Sequence, residues 1–148
     1  METVQQNSTP PDPGYGLTAH IAGVDLATAR EAIIDTLKEE GFGILTEIDV
    51  TATLQKKIGV NFRPYTILGA CNPQLAHRAL TAELAIGLLL PCNVCVWEEE
   101  AGAVISIASP ATMFRVTGRD DVEPLAAEAE ERLHRALDKA HSLLAQRA

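Results

Sequence analysis

Apolar residues recur along this chain with periods near 2 and near 3.6, and the switches between the two mark nine successive elements. Tyr15 to Ile21 alternates and predicts a first strand. Leu26, Ala29, Ile33 and Leu37, with Ile34 alongside, then repeat at helical spacing. Asp25 is placed to cap that helix, because its carboxylate can accept from free first-turn amides, and Val24 and Ala29 occupy the two positions of a hydrophobic staple. Gly41 ends the helix. Phe42 to Val50, rich in β-branched and aromatic residues, predicts a second strand. Thr51 to Ile58 predicts a short, basic-ended helix stopped at Gly59.

Tyr65 to Ala70 predicts a third strand, ending at Cys71. Asn72-Pro73 is a turn signal, and proline suits the first turn of a helix running from about Pro73 to Leu84, with Leu75, Ala76, Ala79, Leu80 and Leu84 inward. Leu88 to Trp97 is the most apolar strand, expected to be covered on both faces or packed against a partner chain. Glu98 to Gly102 reads as a hairpin loop leading into a final strand, Ala103 to Ala108, and Ser109 to Gly118 as irregular. The last helix begins near Pro124, with Asp120, Asp121 and Glu123 at its positive end and one apolar face from Leu125 to Leu144. Residues 1–14, polar and then proline-rich, predict a disordered tail, which leaves 15–148 as a single domain. Two adjacent strands near the end do not suit a doubly wound parallel sheet. The expected fold is therefore α+β, a sheet with helices on one side.

Composition narrows the classes of function. At 148 residues, 47% hydrophobic and 22% charged, the chain can bury a real core. Twelve basic against twenty acidic residues give a formal net charge of −8, and no basic cluster exceeds Lys56-Lys57. A phosphate backbone or an anionic membrane surface needs a basic stripe, so neither nucleic acid nor membrane is expected as a partner. The longest apolar stretch, Ile86 to Pro91, falls far short of the roughly 20 residues of a membrane span. The first seven residues lack the basic and apolar segments of a secretory signal, and three cysteines are an odd number. Both point to reduced thiols and a cytoplasmic location.

The strongest local signal is a doubled phrase, Leu68-Gly69-Ala70-Cys71-Asn72-Pro73 and Leu90-Pro91-Cys92-Asn93-Val94. Each copy sets an ionisable sulfur beside a carboxamide at the edge of an apolar run. With Tyr65-Thr66-Ile67 before the first copy and Ile86-Gly87-Leu88-Leu89 before the second, and with Glu40 to Val50 upstream, the chain resembles the bacterial family called domain of unknown function 302 over about residues 15–144. The resemblance implies a curved, mainly antiparallel sheet backed by helices, of the TATA-binding-protein-like kind, and a homodimer. It implies no activity. Where that family tends to carry Asp-Pro, this chain has Ser109-Pro110, so a role for that carboxylate does not carry over.

Three chemistries fit the doubled phrase. A binding module would use Cys71, Asn72, Cys92, Asn93 and Arg63 toward a small ligand, or Cys71 and Cys92 with His77 and Met113 toward a metal ion, since thiolate and imidazole suit soft and borderline metals. Cys92-x-x-Cys95 has a zinc-like spacing, but on a strand the two side chains point to opposite faces. A thiol oxidoreductase or redox sensor would close Cys71 and Cys92 reversibly. Acyl transfer would pair Cys71 with His77, oriented by Asn93. Against these stands a purely structural role, because cysteine is among the most buried residue types; function would then lie in a groove or in dimerisation. His20, His134 and His141 are expected to face solvent. No cofactor follows from the sequence. The binding module is the leading expectation.

Overall fold

The structure, a computed structural model, describes residues 14–147. The tail expected at 1–14 therefore lies, apart from Gly14, outside the described residues. Five strands, β1 (Gly16–Ala22), β2 (Gly43–Asp49), β3 (Tyr65–Cys71), β4 (Cys92–Glu99) and β5 (Gly102–Ala108), form one sheet in the order β1-β5-β4-β3-β2. Every neighbouring pair is antiparallel. The helices are α1 (Leu26–Glu39), α2 (Val50–Ile58), α3 (Pro73–Ala82), α4 (Pro110–Phe114) and α5 (Glu123–Arg147), with short 3-10 turns at Leu84–Leu89 and Arg115–Thr117. This is the expected α+β architecture.

Local signals explain most boundaries. Asp25 caps α1 by accepting from the Thr28 amide at 2.9 Å, and Asp49 caps α2 by accepting from the Ala52 amide at 2.9 Å. Gly59 closes α2 in the left-handed region at φ 70°. The helices α1 and α5 pack against each other and against one face of the sheet, where Ile33, Leu37, Leu68, Val94, Val96, Ile105, Ile107, Leu133 and Leu144 are buried in the main core. Leu75, Ala79, Ile86, Val122 and Leu125 form a second, smaller cluster between α3, the Leu84–Leu89 turn and the start of α5. The other face of the sheet carries Cys95, Trp97, Tyr65 and Ile67, all half-buried.

Four expectations need correction. Helix α3 stops at Ala82, because Glu83 is extended at φ −158° and ψ 117°. Leu84, expected inward, is 85% exposed. The strand expected from Leu88 begins only at Cys92; its apolar approach is the 3-10 turn, and Leu88 is 88% exposed. Short apolar runs do not declare their backbone by hydropathy, and Pro91, without an amide proton, cannot extend a central ladder. Nor is β4 covered on both faces, since only Val94 and Val96 are fully buried. Finally, Ser109 to Gly118 is not irregular. It repeats the Asn72-Pro73 device: Ser109 accepts from the Thr112 amide at 3.2 Å, and Pro110 opens α4.

Candidate functional site

Both Cys-Asn phrases end at the same place. At the junction of β3 with α3 and of the Leu84–Leu89 turn with β4, a cavity of about 300 Å³ opens between the two core clusters. Its floor is Phe42, Ala70 and Ala108, and α3 supplies Leu75, Ala76 and Ala79. The segment Leu88 to Pro91 borders one side, while Met113 and Phe114 of α4 and Leu125 and Ala129 of α5 close the other. Ala129 packs against both clusters. Small side chains on facing helices leave the two clusters unable to meet, and the cavity is the seam between them.

Of the residues singled out in the sequence, Cys71, Asn72, Cys92, Asn93 and Met113 line this cavity. The other two do not. His77 is exposed on α3 and outside the lining. Arg63 precedes the opposite end of β3 from Cys71, where its guanidinium donates to the Glu98 carbonyl at 3.3 Å. The anion contact beside the cysteines and the imidazole-completed shell are therefore not assembled. Among the described residues, no three or more His, Cys, Asp and Glu side chains are grouped to hold a metal ion. Apart from Met113, sequence reading missed the cavity walls that α4 and α5 supply; the Ser109-Pro110 cap was the available signal for α4.

Each polar group of the lining has a structural setting. Asn72 is buried and accepts from the Leu75 amide at 3.2 Å, capping α3. Its side chain lies against Gly41, where φ is +87° and an added Cβ would come within 2.9 Å of the amide nitrogen. Cys92 donates its thiol proton to the Ala108 carbonyl at 3.4 Å. Burial pushes the Cys92 thiol up to about 12, with Cys95 and Glu130 adding to the effect. Burial also raises Cys71, and it raises Cys95 although the Tyr65 hydroxyl partly offsets it. All three thiols are free, and at neutral pH they stay protonated. Cys95, as strand alternation required, stands on the far face of the sheet.

The family profile described as "Domain of unknown function DUF302" matches residues 18–140. The chain belongs to this family. A solved DUF302 relative, the uncharacterized conserved protein DUF302 from Bacillus stearothermophilus, is 32% identical, with a TM-score of 0.80 over 86% of this chain and 99% of that one. No curated protein matches. Within this DUF302 chain, the departure at Ser109 has a structural counterpart. The carboxylate at the start of α4 comes from Glu130 of α5, which accepts from the Ser109 hydroxyl and from the Ala111 amide at 3.0 Å. No helix among the described residues is long and apolar enough to cross a membrane.

Proposed function

We infer that this DUF302 protein is a non-enzymatic binding module whose ligand is a small, neutral, largely apolar molecule held in the cavity at Cys71 and Cys92. The carrying observation is the lining. Its nineteen residues include no Lys, Arg, His, Asp or Glu, and its only polar side chains are the two carboxamides and the two thiols. Pockets of this size that bind organic molecules are mostly apolar with a few convergent polar groups, and about 300 Å³ is at the lower end of their range. A carboxylate or phosphate would enter without a countercharge, and burying an unpaired ion is far more unfavourable than burying a neutral group. Protonated thiols likewise favour a neutral ligand over a cation, because metal ligation requires the thiolate. Asn93, exposed at the rim, is free to hydrogen-bond a ligand's carbonyl or hydroxyl, while Asn72 is engaged in capping α3.

The test is a fluorescence titration with prodan, a neutral naphthalene, against a naphthalene carboxylate of similar size. Prodan should bind with a blue shift, and Ala129→Phe, which fills the seam, should weaken it at least tenfold with the fold retained by circular dichroism. Equal binding by that variant, or preference for the carboxylate, defeats the reading.

A further inference from the structure

Leu84 and Leu88, at 85% and 88% exposure, are the two most exposed large apolar side chains among the described residues, and both stand on the Leu84–Leu89 turn. A single leucine in solvent needs no explanation, but a pair on one turn makes a patch. Leu88 also lines the cavity, so the pair forms a lip at its mouth. The turn is firmly held. Ile86, between the two, is 1% exposed and belongs to the second core cluster. Its amide donates to the Glu83 carbonyl at 3.1 Å, and the Leu90 amide donates to the Gly87 carbonyl at 3.2 Å.

Charge and area decide what such a lip can meet. From Leu84 to Pro91 the chain carries no ionisable side chain, and the other exposed positions there are Ala85, Gly87 and Pro91. The flanking Glu83 carboxylate is drawn to the Arg119 guanidinium at 3.8 Å. Two leucine side chains offer roughly 200 Å² of apolar surface, a quarter of the about 800 Å² that each partner buries in a stable protein complex. A protein partner is therefore poorly matched. A lipid surface sets no such minimum, because each protruding side chain enters the headgroup boundary by itself. An anionic bilayer repels a chain with a net charge of −8 and a lip without Lys or Arg, whereas a zwitterionic bilayer does not.

We propose that the Leu84–Leu88 lip makes brief contact with a zwitterionic lipid bilayer, and that the ligand of the cavity passes between bilayer and protein during that contact. The passage rests on the reading of the cavity as a site for a neutral, largely apolar molecule, which a bilayer dissolves far better than water does. A single acyl chain gives only marginal, reversible membrane binding. Two leucines bury less, so the contact is an encounter and not an anchorage. Because Leu88 belongs to both lip and lining, immersing the lip sets the cavity mouth against the lipid. The ligand then crosses without entering bulk water.

Transfer rates separate this route from release into water. Prodan-loaded protein is mixed in stopped flow with phosphatidylcholine vesicles whose rhodamine-labelled lipid quenches arriving prodan. Transfer on contact gives a rate that rises in proportion to vesicle concentration, whereas release into water gives a rate independent of it. Leu84→Ser should lower that slope by about threefold and leave prodan affinity unchanged, because Leu84 is outside the lining. Vesicles containing anionic lipid should also give a lower slope. A second arm needs no ligand. Brominated phosphatidylcholine vesicles should quench the Leu84→Trp variant more than the wild type, whose single tryptophan, Trp97, stands on the sheet face away from the helices. A wild-type rate flat in vesicle concentration, a slope indifferent to Leu84→Ser, or equal quenching of the two proteins would each overturn the proposal. Self-association abolished by Leu84→Ser would overturn it as well, giving the lip to a second copy. Absence of prodan binding defeats the cavity reading instead, and the quenching arm then decides the lip contact.

Discussion

Cys92 lies directly across from Ala70 in the ladder between β3 and β4, not from Cys71. Because side chains alternate across a sheet, that register sets Cys92 toward the helical face and Cys71, one residue along, to the other. Both reach the cavity because β3 ends at Cys71 and the chain turns there into α3. A reversible bridge would need their Cβ vectors to converge, which this register opposes. After mild oxidation with diamide, all three thiols should remain countable in denaturant, and a Cys71–Cys92 bridge in a non-reducing peptide map would contradict this.

Alkaline pH should expose the Cys92 environment. Its folded-state value of about 12 lies above the reference of 9.0, so the folded protein retains a proton that the unfolded chain gives up. That contribution is whole below pH 9 and is lost as pH rises from 9 toward 12, by at most about 4 kcal/mol for three units. Urea midpoints should therefore fall more steeply above pH 9 in the wild type than in Cys92→Ala. Tyr65 and Cys71, which are also raised, contribute to both proteins and cancel in the comparison, as does Cys95 apart from its coupling to Cys92. Parallel curves would show that Cys92 is not the group responsible.

Gly69 is a glycine for lack of room. An added Cβ would meet the Thr46 hydroxyl and stand 2.8 Å from Pro91 Cγ. Pro91 borders the cavity, so Gly69→Ala should push the Leu88–Pro91 segment away from β3. The expected penalty is about 1–3 kcal/mol in denaturant titration, accompanied by weaker prodan binding. Wild-type stability in this variant would mean that Pro91 is not held where it lies.

Ser109→Asp should destabilise this chain. The Ser109 hydroxyl donates to Glu130, and a carboxylate in its place offers no proton and repels. A loss of about 1–3 kcal/mol at pH 7 is expected, recovered by Glu130→Gln and reduced on acidification as one carboxyl takes up a proton. Melting curves at pH 7 and at acidic pH decide it. Unchanged melting at pH 7 would remove Glu130 from this role.

Much of the fold was legible because its signals are local. Asp25, Gly59 and Asn72-Pro73 act within a turn of themselves, and the alternation of β1 and β3 needs only neighbouring residues. Legibility failed at Leu84 to Leu90, where a purely apolar run suits helix, strand or turn alike and tertiary packing chose. Within the site, Cys71, Asn72, Cys92, Asn93 and Met113 were found from the sequence and converge on the cavity. His77 and Arg63 were placed by nearness in the chain, and helix phase and strand length carried them elsewhere.

The sequence by itself determined the element order, most of the caps, the excess of acidic over basic residues and the family, since each depends on residue identity at short range or on composition. Only the tertiary structure decided that the lining around the two Cys-Asn phrases carries no ionisable group beyond protonated thiols. That property belongs to residues from four helical segments and three strand ends, far apart in the chain. Their shared surroundings come from packing, which no short-range pattern encodes.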